Sequence, residues 1–374
     1  MKTRNWTLCG LPGVIPTALS LGLSFAAMLA VLAPAQVAAQ SAPATGPARA
    51  RAQLRVVASL PIYAELVRDI GGDAVTVTSI ADPSEDAHFV RPKPSFALDL
   101  RRADVFVTTG LDLELWVPPL LDKAGNPRVS EGGKGYVTTY PGIKLLDVPS
   151  SADRSAGDIH IYGNPHLYTD PLNVVQIARN ITAGLKNVAP DQAAAFDAGL
   201  ARFTDRIYRR LFGDTLVDML KGETLEKLAS QDKLFPFLQA NRYQGRLLIS
   251  YLGGWLKEGE SFRGKQMVCY HKNWAYLEHR WDVKCVDYVE AKPGIPPTPR
   301  HVRELIELMR NQGINVMFVA NYFSKAKVDA VAERAGAVAV RVPMEPGAVP
   351  GVNDYFDLVD VWVSSLAKAF SQRS

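Results

Sequence analysis

Six histidines in 374 residues are few enough to weigh one by one, and three of them stand where a metal ligand would be useful. His88 lies in the loop after a predicted strand ending at Ile80, and His271 directly follows one ending at Tyr270. His166 lies just past the short apolar stretch 159–162, within Asn164-Pro165-His166. Glu345 follows a strand ending at Val342. Open α/β sheets hold their ligands beyond the carboxyl ends of strands. Two of these four residues belong to each half of the chain, so a cleft between two lobes can gather them. Three imidazoles and one carboxylate make a full tetrahedral set for zinc, each reaching about 2 Å to the ion. The prolines near His88 and His166 hold the loop conformations that aim those rings. Taken singly, a histidine beside a strand is more often a capping or hydrogen-bonding residue than a ligand. His160, His279 and His301 read as surface or supporting residues. His160 is the least settled of the three, because it shares a loop with His166.

Other chemistries lack their signatures. The chain has no H-E-x-x-H, no C-x-x-C pair and no G-x-S-x-G elbow, which removes the common zinc-protease and serine-hydrolase templates. Glycine pairs such as Gly132-Gly133 read as turns and not as phosphate loops. A composition of 47% hydrophobic and 21% charged residues excludes disorder. The formal charge of +4 is too small over this length to argue for a nucleic-acid partner.

The amino terminus reads as a secretory signal. Lys2 and Arg4 precede an apolar run over 14–33, and Val37-Ala38-Ala39 offers small residues for cleavage before Gln40. An uncleaved anchor is the alternative, since the run approaches the ~20 residues that span a bilayer. Cys9 precedes the run, so it is not the lipid-bearing cysteine of a lipoprotein. Removal of residues 1–39 lowers the formal charge to +2 and leaves two cysteines, Cys269 and Cys285. Both lie in short apolar runs that read as neighbouring strands, and an oxidising compartment permits them to pair. Two buried free thiols, or Cys269 as a metal ligand, are the other readings.

The elements that must position these residues alternate between strand and helix signals. Runs at 54–59, 74–80 and 104–109 read as strands separated by helices at 62–70 and from about Pro94. Residues 126–163 read as a long loop. A helix at 172–185 precedes a longer one from Asp191, in which Phe196, Leu200, Phe203, Ile207 and Leu211 recur every three or four residues. A strand at 246–251 stands alone in an otherwise unassigned stretch. The alternation resumes from Lys265, and a last helix runs over 355–370. The expectation is an α/β fold of two similar lobes, each a parallel-sheet sandwich, joined by a long rigid linking helix with the cleft between them. The N-terminal lobe is expected over 40–189, the linking helix and an additional segment over 190–262, and the C-terminal lobe over 263–374.

These residues carry a family resemblance. Ala81-Asp82-Pro83-Ser84-Glu85-Asp86-Ala87-His88, followed by Pro92-Lys93-Pro94-Ser95, resembles the first-ligand loop of the periplasmic zinc and manganese solute-binding proteins of ABC importers. Residues 103–110 and Leu113-Glu114-Leu115-Trp116 fit the same pattern. Asn164-Pro165-His166-Leu167-Tyr168-Thr169-Asp170-Pro171 resembles its second-ligand motif, and the stretch 265–276 around His271 its third. The resemblance covers roughly 54–370. It implies a monomeric, exported binding protein that carries one zinc ion as cargo to a membrane permease driven by an ATPase. It also implies His88, His166 and His271 as ligands, histidine at the third position being the mark of the zinc-selective members. The family's fourth ligand is usually Asp; Glu345 stands there, with Asp354 as the fallback. The His-rich tract of some zinc members is absent, leaving only His160, and the segment before His271 is longer than the family pattern. A secreted zinc hydrolase or lyase with three histidines and a bound water, or a manganese-binding member, are the rival readings.

Overall fold

The computed structural model describes residues 53–149, 160–290, 292 and 294–372. The expected secretory signal, residues 1–39, lies outside them. Two four-stranded sheets form the two lobes, and every pairing within them is parallel. In the first, β1 (Leu54–Ala58) lies between β2 (Val75–Ser79) and β3 (Val105–Thr108), with β4 (Tyr136–Thr138) beyond β3 at the edge. The order is β2-β1-β3-β4. β3 is buried at every position, as expected of a parallel strand covered on both faces, so its apolar run is continuous and not alternating.

The edge strand β4 corrects the reading of 126–163 as loop throughout. Three residues are too few to show a period, and its strand character comes from pairing Phe106–Thr108 with Tyr136–Thr138. Glu114 joins the carboxyl ends of the central strands: its Oε1 accepts from the Ser59 hydroxyl (2.7 Å), the Thr109 amide (3.0 Å) and the Thr109 hydroxyl (2.8 Å).

A short antiparallel hairpin, β5 (Arg242–Tyr243) with β6 (Arg246–Leu247), occupies part of the connecting segment. Gln244 and Gly245 both have positive φ, the backbone a two-residue hairpin turn demands. The strand expected at 246–251 is therefore only two residues long, and a single helical turn, Leu248–Tyr251, replaces the rest.

The second sheet, β10-β9-β7-β8, comprises β7 (Gln266–Cys269), β8 (Lys284–Tyr288), β9 (Val316–Ala320) and β10 (Val338–Val342). A disulfide between Cys269 and Cys285 joins β7 to β8, with Cα atoms 5.5 Å apart. Among the described residues no helix is long and apolar enough to cross a membrane.

The long helix expected from Asp191 is Ala193–Phe212, whose 20 residues span about 30 Å. Its apolar face carries the expected stripe: Phe196, Phe203, Ile207 and Leu211 are buried. It touches both lobes. Phe203 packs edge-on against Phe356 of the final helix, Tyr355–Ser371, and the Arg206 guanidinium lies 3.5 Å over the same ring. On the other side, Gly199 lets the helix backbone approach Pro61–Gly71, since a Cβ there would sit 2.0 Å from the Ile70 carbonyl oxygen. Gly199→Ala must therefore push two helices apart. We expect a loss of about 2 kcal/mol, typical of overpacking, read as a lowered urea midpoint with unchanged slope.

Glu65, on the helix Pro61–Gly71, links the fold to pH. Burial pushes its carboxyl up to about 8, reinforced by the charges of Asp69 and Asp354. Glu278 is pushed up to about 7, again by burial first. Between the unfolded value of 4.5 and these values the native state holds protons that the unfolded chain releases, so stability falls as pH rises across that window. Glu65→Gln is expected to raise the melting temperature at pH 8 and leave it nearly unchanged at pH 5. Equal effects at both values would contradict the titration.

Candidate metal centre

His88 and His166 are aimed by the same local device. In each case the side chain two residues earlier turns back and takes both the histidine's backbone amide and its ring Nδ1. Asp86 Oδ1 lies 3.0 Å from His88 N and 2.6 Å from His88 Nδ1. Asn164 Oδ1 lies 3.1 Å from His166 N and 3.0 Å from its Nδ1. Such turns are what short Asx side chains favour. Trp116 Nε1 donates to the Ala87 carbonyl at 2.8 Å and pins the first loop to the lobe.

The second loop is tied to the opposite lobe. Tyr276 OH donates to the Asn164 carbonyl (2.7 Å), Asn164 Nδ2 to the Lys272 carbonyl (2.8 Å) and Tyr355 OH to the Tyr168 carbonyl (3.0 Å). The expected strand before His166 is absent among the described residues: 161–163 form a turn, and His166 opens a single helical turn, Leu167–Thr169.

His271 follows β7 as expected, with Nδ1 2.9 Å from the Glu290 carbonyl oxygen. All three rings therefore give Nδ1–H to an oxygen and keep the lone pair on Nε2, which in His166 accepts from Asn273 Nδ2 at 3.2 Å. That arrangement of a ring nitrogen held by a supporting oxygen is the usual setting of a metal-binding imidazole. The ring centres of His88 and His166 lie 5.2 Å apart, His88 and His271 5.7 Å, His166 and His271 6.4 Å. Nitrogens about 2.0 Å from one tetrahedral ion stand roughly 3.3 Å apart with ring centres roughly 5 Å apart. Among the described residues no three such side chains already stand at holding distance. An ion would draw these rings inward by roughly 1 Å.

His160, read from sequence as a surface or supporting residue, joins the group. Its Nε2 is 3.2 Å from His88 Nε2, and its ring centre is 5.2 Å from that of His88 and 5.9 Å from that of His166. Asp112 orients it, accepting from Nδ1 at 3.1 Å through one oxygen and from the Ile161 amide at 2.9 Å through the other. The sequence carries no signal for this, since Asp112 and His160 are 48 residues apart. His279 stands apart, facing Asp232 at 3.5 Å, and His301 Nε2 meets the Tyr288 carbonyl at 2.7 Å.

Glu345 follows β10, is buried, and divides its carboxylate between two tasks. Oε2 accepts from the Ile62 amide at 2.8 Å, capping the first turn of the helix Pro61–Gly71 across the cleft. Oε1 is buried without a hydrogen-bond partner, and so is His271 Nε2. A buried polar atom left unpaired is costly, and a cation is a partner suited to either donor type. Asp354, the fallback ligand, is engaged elsewhere: it caps the final helix through the Asp357 amide and pairs with Arg206 at 2.9 Å.

Burial governs the electrostatics. It holds His166 well below the ordinary imidazole range, helped by His88, His160 and His271. It lowers His271 to about 4, with His88 as the next cause. Burial also pushes Glu345 up to about 8, against the hydrogen bond from the Ile62 amide. Burial alone would raise Asp86, but the hydrogen bonds from His88 outweigh it and hold Asp86 low. His166 and His271 are thus neutral at pH 7 and ready to donate lone pairs.

A family model described as zinc-uptake complex component A, periplasmic (ZnuA), matches residues 56–209 and 238–369, leaving 210–237 between the matched parts. The iron-binding protein YfeA of Yersinia pestis is 22% identical over 86% of this chain and 87% of its own length. The zinc-binding lipoprotein AdcA of Streptococcus pneumoniae is 22% identical over 77% of this chain, which spans only 49% of that protein. Among solved structures, a zinc-bound ZnuA deletion mutant superposes with a TM-score of 0.60 at 20% identity, covering 85% of this chain and 98% of its own. A manganese-bound periplasmic metal-binding protein from Candidatus Liberibacter asiaticus gives 0.59 at 17% identity, covering 85% and 100%. These structures share the two-lobed parallel-sheet fold.

Proposed function

The chain belongs to the periplasmic zinc-uptake component A (ZnuA) family, and on that premise we propose that it captures a zinc ion and delivers it to the permease of an ABC importer. His88, His166, His271 and Glu345 are the proposed ligands. The observation that carries this reading is the buried, partnerless His271 Nε2 within a group of three rings whose Nδ1 atoms are already engaged; Glu345, whose buried Oε1 also lacks a partner, is the proposed fourth donor. Zinc is the cargo because imidazole nitrogen suits it, whereas manganese prefers harder oxygen donors. The relatives are described as binding iron, zinc or manganese, so the donor set carries this choice.

His166 and His271 are neutral at pH 7, whereas Glu345, held up to about 8, gives up its proton as the ion binds, and acid reverses the binding. The site binds without turnover, since a catalytic zinc keeps a position open for water and here protein donors fill the shell. The protein acts in the periplasm as a monomer, exported by a cleavable signal.

Calorimetry on metal-stripped protein, zinc against manganese, tests this. Zinc is expected to bind at least tenfold more tightly. A manganese preference would overturn the choice of cargo, and failure to bind either metal would overturn the transport reading.

A further inference from the structure

The contact between His88 and His160 calls for a positive charge, a proton or a metal ion, between the two rings. The Nδ1 of His88 faces Asp86 and the Nδ1 of His160 faces Asp112, so each ring gives its one proton outward. The two Nε2 atoms then meet at 3.2 Å with a lone pair on each. Two acceptors at that distance repel unless a proton or a metal ion lies between them, and 3.2 Å falls within the roughly 2.9–3.5 Å spacing of two nitrogens on a zinc that His160 makes five-coordinate. We infer that His160 is a further ligand of the bound ion, with Asp112 as the residue that positions it.

The arm is built, not incidental. Asp112 is buried and spends both oxygens on it, one on the ring and one on the next backbone amide, Ile161. His160 also keeps 15% of its side chain exposed, against 4% for His88, while His166 and His271 are buried. It is the ligand on the solvent side of the group, the donor an incoming ion meets first and an outgoing one leaves last. With it the site offers a fourth imidazole, which shifts its preference further toward nitrogen-seeking zinc and away from manganese.

The inference rests on the proposed metal site, and the experiment separates the two. Zinc-loaded full chain is compared with His160→Gln and Asp112→Asn by X-ray absorption, which counts imidazoles on the metal, and by competition with a chromogenic chelator. His160→Gln should show one imidazole fewer than the parent and at least a tenfold weaker zinc affinity. Asp112→Asn keeps one acceptor for the ring but not the second for Ile161, and should fall between the two. His279→Gln, an exposed histidine outside the group, should match the parent. Metal-free melting temperatures of all variants should agree, so that a folding defect is not mistaken for a lost ligand. An unchanged imidazole count with unchanged affinity in His160→Gln overturns this inference alone, provided His166→Ala still abolishes tight binding. If His166→Ala also binds zinc normally, the proposed site itself fails.

Discussion

Replacing His166 by alanine is expected to weaken zinc binding by roughly a hundredfold or more, with a much smaller effect on the metal-free fold. The loss of a supporting partner alone costs roughly 10–100-fold in affinity, and the loss of a ligand exceeds it. His166 is 1% exposed, so water from bulk solvent does not readily take its place. The neighbour left behind, Asn273, has Nδ2 3.2 Å from His166 Nε2 and also donates to Tyr322 OH at 2.9 Å. It offers hydrogens toward the vacated position and no ligand. Asn164→Ala should show the smaller, supporting-partner effect, because it frees the ring without removing it. A chelator competition titration reads both, and equal zinc affinity in His166→Ala and the parent protein would sink the metal-site reading.

The second large effect concerns the lock that holds the His166 loop. Arg280, on the helix Ala275–Trp281 of the C-terminal lobe, grips Asp170 with two nearly parallel bonds, Nε to Oδ1 at 2.8 Å and Nη2 to Oδ2 at 2.7 Å. Both side chains are almost wholly buried. Asp170 also caps the helix Pro171–Val188 by accepting from the Leu172 amide at 2.9 Å. Burial works against the charge on Arg280, but the charge and hydrogen bonds of Asp170 outweigh it and raise its pKa. Removing one partner of such a pair leaves an uncompensated buried charge, which costs about 3–5 kcal/mol. Arg280→Ala should therefore lower the melting temperature by roughly 5 °C in a chain of this size. It should also weaken zinc binding, because Asp170 lies on the same loop as His166. The double variant Arg280→Ala with Asp170→Asn should regain part of the stability, since the orphaned charge is then gone. An Arg280→Ala protein as stable as the parent would show that the pair does not lock the lobes.

Much of the site was legible because its key devices are local. Asp86 with His88 and Asn164 with His166 are two residues apart, so the side chain that aims each ring is written beside it. The strands that deliver His271 and Glu345 are mostly apolar, with only Gln266 and Arg341 as exceptions, and the helix Ala193–Phe212 carries a clear three-to-four period. The three-residue strand β4 was not legible, being shorter than any period, and exists through its partner β3.

The amino-acid sequence by itself determined two parallel α/β lobes, a long helix between them, a cysteine pair on adjacent strands and three histidines at loop positions suited to a metal. Tertiary structure alone decided the rest. It brought His160 to within 3.2 Å of a histidine 72 residues away, assigned Asp112 to hold it, and turned Glu345 toward Ile62, 283 residues distant. It also closed the Arg280–Asp170 lock across 110 residues. The physical reason is range. Periodicity, capping and turn chemistry act over a few residues and leave their mark in the order of the chain. The meeting of lone pairs and buried charges from distant segments depends on how two separate lobes pack, and no local pattern records it.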